Sequence, residues 1–181
     1  MTLPVILATA LALAATPVLP PNPHVRVRPQ GARAASLVTL AATRSPTVQR
    51  LLDRLEAGDV IVYIDLRRDL DPGMAACLTW MAATETRRIV RASIRMNLRT
   101  ADAIAILAHE LEHAVEVLEH PDVRSGDALR ALYARIGHAT SPSGRHFDTE
   151  RALAAGTLAR LEVTRGVASP ATAERAVSPG L

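Results

Sequence analysis

Apolar residues in the first half of the chain recur at two different spacings. Residues 47–56 carry them at the helical period of about 3.6, with Ser45 placed as an N-cap and Pro46 at the first helical position. Gly58 ends this segment, and residues 59–67, DVIVYIDLR, are rich in β-branched side chains. The pattern predicts a helix followed directly by a strand.

Further strands and helices follow in the second half. Residues 76–82 and the alternating segment RRIVRASIR, residues 87–95, are predicted to be strands. A long helix begins at Thr100, a second is predicted over residues 126–137, and a last one over residues 148–165. This order predicts an α+β fold in which a short mixed β-sheet packs on the long helix, with two further helices after it.

The two ends of the chain differ from this central part. Residues 1–23 combine an apolar run with small residues spaced as at a cleavage site and a Pro-rich spacer, which is typical of a secretory signal. The run is shorter than the about 20 residues of a spanning helix, so we predict export to the periplasm or the medium without a stable membrane anchor. Residues 24–165 are then the domain, and residues 166–181 a disordered tail.

Composition narrows the classes of partner. The chain has 181 residues, of which 49% are hydrophobic and 2% aromatic, so one aliphatic core is expected and an aromatic platform for bases is not. The net charge is only +3 and no basic run gathers on one predicted face, which argues against a nucleic-acid partner. Cys77 is the single cysteine and excludes both an intrachain disulfide and an all-cysteine metal site.

The long helix contains the motif HELEH, formed by His109, Glu110 and His113. Residues four apart on a helix lie one turn apart on one face, so the two imidazoles can converge on one Zn²⁺. The intervening Glu110 then lies where a carboxylate can deprotonate a metal-activated water. A chance match in a chain of this composition has a probability on the order of one in a hundred.

The same helix can also be interpreted as an ordinary amphipathic helix without a metal site. The apolar positions form one stripe that faces the core, and the histidines fall on the opposite side, where they can simply decorate a solvated face. The stripe consists of Ile104, Leu107, Leu111, Val115 and Leu118. Glu112, a charge inside the motif, favours an ordinary amphipathic helix, whereas the small and apolar neighbours of the histidines favour a buried metal site.

On its HELEH segment the chain resembles the zincin metallopeptidases. The resemblance covers the motif helix and the strand-then-helix order around it, and it implies a zinc-dependent hydrolase of peptides or proteins. In that superfamily an edge strand of the sheet receives an extended substrate, and by analogy residues 87–95 would be that strand. The resemblance also implies a third ligand from farther along the chain.

The third ligand is open among several residues. A metzincin-like site needs a histidine where this chain has Glu119, so that arrangement is excluded. A gluzincin-like site takes Glu150, near the start of the last helix, and this is our first choice. Asp148 is the aspzincin-like alternative, although it is also a natural N-cap, and His146 is a third. We expect Glu116 either to contact a metal ligand without binding the metal itself or to lie on the surface.

Two other classes of function compete with the peptidase. Glu110 and His113 form one half-motif of a di-metal carboxylate bundle, but the chain has no second such pair. A secreted binding or structural protein with incidental histidines is the other alternative. Tyr133 could stabilise an oxyanion in the peptidase, but its spacing with Leu129 and Leu132 is also that of a residue at the core edge.

Overall fold

The computed structural model describes residues 24–140 and 147–167 of the chain. Over these ranges the fold is α+β, as predicted, with five helices, a mixed four-stranded sheet and a small two-stranded sheet. The predicted secretory signal, the candidate ligand His146 and residues 168–181 of the predicted tail lie outside the described residues. None of the helices within them combines the length and apolar character needed to cross a bilayer.

The elements follow one another in a simple order. In sequence they are β1 (Val27–Pro29), α1 (Ala32–Arg44), α2 (Pro46–Glu56), β2 (Val60–Arg67), β3 (Ala76–Ala83), β4 (Arg88–Arg95), α3 (Thr100–Glu119), α4 (Gly126–Ile136), β5 (His138–Ala139), β6 (Phe147–Asp148) and α5 (Glu150–Val167).

Most of the predicted elements are confirmed, and the additions have clear reasons. Helix α2 begins as predicted, with the Ser45 hydroxyl accepting a hydrogen bond from the Val48 amide. Helix α1 was not predicted, because it starts after Gly31 without a side-chain cap that would mark its beginning. Strands β1, β5 and β6 are two or three residues long, too short for a periodic pattern.

The strand order of the larger sheet corrects one expectation. The order is β1-β2-β4-β3, with β3 antiparallel to β4 and the other pairs parallel. Strand β4, which contains RRIVRASIR, is therefore internal and cannot be the edge strand proposed by analogy. The two edges are β1 and β3, and β3 is the edge strand next to β4, since its outer side pairs with no other strand in the described part of the chain.

One face of this sheet is covered by the helices. Val62 on β2 and Val90 and Ala92 on β4 have no exposed surface and belong to the core, while Tyr63 and Arg91, which point the other way, are partly exposed. Side chains of alternate residues point to opposite sides of a strand, so the core lies on a single side of the sheet.

Helix α3 runs through the centre of this core. Its apolar stripe packs as predicted, with Ile104, Leu107, Leu111 and Val115 fully buried. Its other side is covered as well, mainly by α5, which comes very close at Gly156: a Cβ there would lie 3.1 Å from the Ala105 carbonyl oxygen. The polar side of α3 is therefore not a solvated face, and His113, Glu110 and Glu116 are all buried.

The C-terminal end of α3 is held by Arg88, the first residue of β4. The guanidinium is 1% exposed and donates to the carbonyl oxygens of Val117 at 2.6 Å and His120 at 2.7 Å. It also forms an ion pair with Asp59 at 2.6 Å, and this hydrogen bond lowers the pKa of the Asp59 carboxyl. A buried cation thus lies at the C-terminal end of the helix, where the macrodipole favours positive charge, and it adds a charged donor to carbonyls that also accept the main-chain N–H groups of His120 and Val123.

The N-terminus of α2 is held by Glu162 from α5. Its carboxylate accepts hydrogen bonds from the Ser45 hydroxyl at 2.5 Å, the Thr47 amide at 3.1 Å and the Thr47 hydroxyl at 2.8 Å. Partial burial pulls the pKa of Glu162 upward, but the bonds from Ser45 and Thr47 outweigh it and leave the pKa below its usual 4.5. The charged form is therefore the one that stabilises the fold.

We predict a pH-dependent loss of stability for Glu162→Gln. At pH 7 the variant should unfold about 1–2 kcal/mol more easily than the parent, because a charged acceptor of three hydrogen bonds is replaced by a neutral one. Since folding lowers the pKa, this difference is present above pH 4.5 and should shrink as the pH falls through the folded-state pKa. Urea unfolding between pH 3 and 7 measures it, and a difference that does not change with pH would contradict the assignment.

Candidate metal centre

Helix α3 brings the motif residues to one side of a cleft. The Nε2 atoms of His109 and His113 lie 3.1 Å apart, and the two rings meet edge to face with centroids 4.7 Å apart. The spacing predicted this arrangement, because residues four apart follow one another up the same helix face. His113 is almost fully buried, while His109 is partly exposed at the cleft.

A carboxylate from the far end of the chain joins the two imidazoles. Asp148 is the last residue of β6, and its Oδ1 lies 3.1 Å from His109 Nε2 and 3.9 Å from His113 Nε2. The nearby imidazoles, first that of His109 and then that of His113, lower the pKa of Asp148. The three side chains form a group whose ligand atoms all lie within 4.8 Å of one another.

The separations of these atoms fit a single tetrahedral ion. Three ligand atoms bound to one Zn²⁺ at about 2.1 Å in a tetrahedral arrangement lie about 3.4 Å from one another. The observed distances of 3.1, 3.1 and 3.9 Å bracket that value. Two imidazole nitrogens and one carboxylate oxygen are also a donor set that zinc accepts in catalytic sites. The residues present therefore fit a zinc ion.

Glu150, the first choice from the sequence, is not a member of this group of ligand atoms in the described part of the chain. Glu150 is the first residue of α5 and is exposed. The N-cap of that helix is Thr149, whose hydroxyl accepts a hydrogen bond from the Ala152 amide at 3.1 Å. Asp148 is thus not needed as the cap and faces the histidines instead. Asp148 replaces Glu150 as the candidate third ligand, and Glu150 takes the place of a first-turn carboxylate facing water.

The Glu110 side chain is buried without a full set of partners. It is 3% exposed, it lines the cleft, and its Oε2 is one of the buried polar atoms without a hydrogen-bond partner in the described part of the chain. Burial raises the pKa of the Glu110 carboxyl, and the imidazoles of His113 and His109 oppose that effect. A buried carboxylate with a free oxygen at a cleft favours a role in proton transfer.

His113 has a second polar contact behind the cleft. Its Nδ1 lies 2.9 Å from Oε2 of Glu116, which is 1% exposed. Burial disfavours the charged imidazole, but the neighbouring carboxylates of Asp148 and Glu116 outweigh it and raise the pKa of His113 to about 9. The other oxygen of Glu116 accepts a hydrogen bond from the Thr149 hydroxyl at 2.5 Å. The sequence offered no sign of this role for Thr149.

Tyr133 on α4 contacts the motif helix at His113. Its hydroxyl donates to the main-chain oxygen of His113 at 2.9 Å, and its ring lies edge-on to that imidazole at 5.0 Å. Burial raises the pKa of Tyr133 well above 10. The phenol is thus engaged in holding α3, which favours the core-edge interpretation over an oxyanion contact.

The cleft in front of the histidines has a volume of about 1030 Å³. One wall is the edge strand β3 with the turn before it, and the others come from α3, α4 and the β5-β6 pair. Apolar side chains, including Leu78, Trp80 and Leu129, line it beside the motif residues. Space, apolar walls and a few convergent polar groups are the usual features of a substrate site.

No family model, no curated protein and no solved structure matches the chain.

Proposed function

We propose that the protein is a zinc-dependent hydrolase of peptide bonds, with His109, His113 and Asp148 as the metal ligands. One observation carries the proposal: three ligand atoms converge beside a buried carboxylate, Glu110, that has an oxygen to spare. When bound, the zinc ion supplies the Lewis acidity that lowers the pKa of a water molecule and polarises the substrate carbonyl.

Glu110 is the proton carrier of the proposed reaction. Its Oε2 is free to accept a proton from the attacking water and to pass that proton to the leaving amine. The raised pKa that burial produces brings the carboxyl closer to neutral pH, where one group serves both steps best. His109 and His113 lie on either side of Glu110 along α3, which keeps the carboxylate close to their point of convergence.

An extended peptide is the substrate that the cleft favours. Strand β3 lines the cleft from Ala76 to Trp80, and its outer edge offers main-chain N–H and C=O groups. A peptide can add to such an edge as a further strand, with its side chains entering pockets on alternate sides. The role first expected of β4 therefore passes to β3, and the proposed arrangement is zincin-like with Asp148 in place of a gluzincin glutamate.

Metal content separates this proposal from its alternatives. About one zinc per chain supports the peptidase, two iron or manganese ions support the di-metal carboxylate protein, and no metal supports a binding or structural protein. Export of the chain stays a prediction, because its signal lies outside the described residues.

Substitution of the third ligand tests the site itself. We expect Asp148→Asn to weaken Zn²⁺ binding by at least ~10²-fold, because a charged ligand atom is lost from a three-ligand site. Glu150→Gln is the matched control, since it removes a nearby exposed carboxylate, and it should leave the affinity unchanged. Competition with a chromophoric chelator measures both. Weak binding in the Glu150 variant and normal binding in the Asp148 variant would restore the gluzincin-like choice.

A further inference from the structure

We infer that Glu116 is a positioning residue for the metal centre, joining the ligand on α3 to the turn that carries the third ligand. The inference rests on the proposed zinc site and concerns how its geometry is set. It follows from the two contacts of one buried carboxylate, one with His113 and one with Thr149.

The first contact determines which nitrogen of His113 can bind a metal. Glu116 Oε2 lies 2.9 Å from His113 Nδ1. A carboxylate only accepts, so Nδ1 must carry the hydrogen of this bond. In the neutral ring the lone pair is then on Nε2, which is the atom directed at His109 and Asp148. Glu116 therefore holds the metal-binding tautomer and also increases the basicity of the imidazole.

The second contact reaches the other half of the site. Glu116 Oε1 accepts a hydrogen bond from the hydroxyl of Thr149, the residue directly after Asp148. The same hydroxyl caps α5 through the Ala152 amide, so its position is set from both sides. One carboxylate thus connects two ligands that come from segments far apart in the sequence.

The surroundings of Glu116 differ from those of Glu112 and Glu119 on the same helix. Glu112 and Glu119 both pair with Arg151, whereas the described residues place no arginine within ion-pair distance of Glu116. Glu116 is nevertheless 1% exposed. Burying a carboxylate without a permanent cation is costly, and the imidazole together with the ion it binds is the positive charge available to balance it. This favours a role in the metal centre over a role in stability.

Zn²⁺ affinity of the full-length chain tests the inference. We expect Glu116→Gln to weaken Zn²⁺ binding by about 10–100-fold, as measured by chelator competition, because the amide keeps the shape but loses the charge. Glu112→Gln is the matched control: it changes another buried carboxylate on the same helix that contacts no ligand, and its affinity should equal that of the parent.

A second pair of variants tests the contact between Glu116 and Thr149. Thr149→Val removes the hydroxyl and should also weaken Zn²⁺ binding, while Thr149→Ser keeps it and should restore the parent affinity. This pair tests the positioning role of Glu116 if the Glu116→Gln variant does not fold. In addition, the ¹H–¹⁵N spectrum of the zinc-loaded parent should show a hydrogen on His113 Nδ1 shifted downfield by the carboxylate, and the shift should shrink in Glu116→Gln.

The outcomes distinguish this inference from the proposed function. A parent chain that does not bind Zn²⁺ overturns both. A parent that binds Zn²⁺ together with Glu116→Gln and Thr149→Val variants of equal affinity leaves the zinc site intact and overturns the positioning role alone.

Discussion

Glu110→Gln is expected to reduce peptide hydrolysis by at least ~10²-fold while the chain keeps its zinc. The metal should stay because the three proposed ligands, His109, His113 and Asp148, are unchanged. The rate should fall because an amide cannot accept the proton that Glu110 Oε2 is free to take. The loss should appear in kcat/KM, since proton transfer belongs to the transition state.

The measurement combines rates and metal content on the same preparations. Initial rates on a pool of quenched fluorescent peptides compare the parent with Glu110→Gln and with Glu112→Gln, a neighbouring buried glutamate that does not line the cleft. Only the Glu110 variant should lose activity, and elemental analysis should find zinc in all three. A Glu110→Gln variant as active as the parent would remove Glu110 from the proton-transfer role.

Arg88→Met is expected to lower the free energy of unfolding by about 3–5 kcal/mol. The substitution removes the guanidinium that pairs with the Asp59 carboxylate and that gives the carbonyls of Val117 and His120 a charged donor. Methionine fills a similar volume, so the loss comes mainly from the charged hydrogen bonds and the ion pair with Asp59 rather than from a cavity. Urea unfolding followed by circular dichroism at pH 7 measures the change.

Arg91→Met provides the comparison on the same strand. Arg91 is partly exposed on the open face of the sheet, and its replacement should change stability by no more than about 0.5 kcal/mol. Equal, small effects of the two substitutions would show that the buried guanidinium does not stabilise the end of α3. Addition of Asp59→Asn to Arg88→Met should cost little more, because the two residues act as a pair.

Local patterns determined the elements that surround the site. Ser45 and Pro46 marked the start of α2, and the β-branched run of residues 60–67 marked β2, because caps and alternation act within a few residues. Helix α1 and the very short strands were not predicted for the same reason: they carry no such local signal.

Sequence alone also determined the pair His109 and His113, with Glu110 beside them. The geometry of one α-helix places residues four apart on the same face, whatever the rest of the chain does. The third ligand did not follow in this way. Asp148 and Glu150 are two residues apart and equally suited to bind zinc, and the choice depends on which of them the turn before α5 directs toward the histidines.

The tertiary structure decided which residue is the candidate third ligand, which strand forms the edge beside the cleft and where Glu116 lies. Thr149 took the cap of α5 and so left Asp148 free to face the cleft. The pairing of β3 outside β4 made β3 rather than β4 an edge strand. Helix α5 covers the polar side of α3, and this decided between the two positions expected for Glu116: it is a buried partner of His113 and not a surface residue. These outcomes depend on contacts between segments far apart in the sequence, such as Thr149 and Glu116, 33 residues apart. Hydrophobic periodicity describes one segment at a time. It therefore determines which side chains lie on each face of a helix or strand, whereas the packing of the whole chain decides which residues those side chains contact.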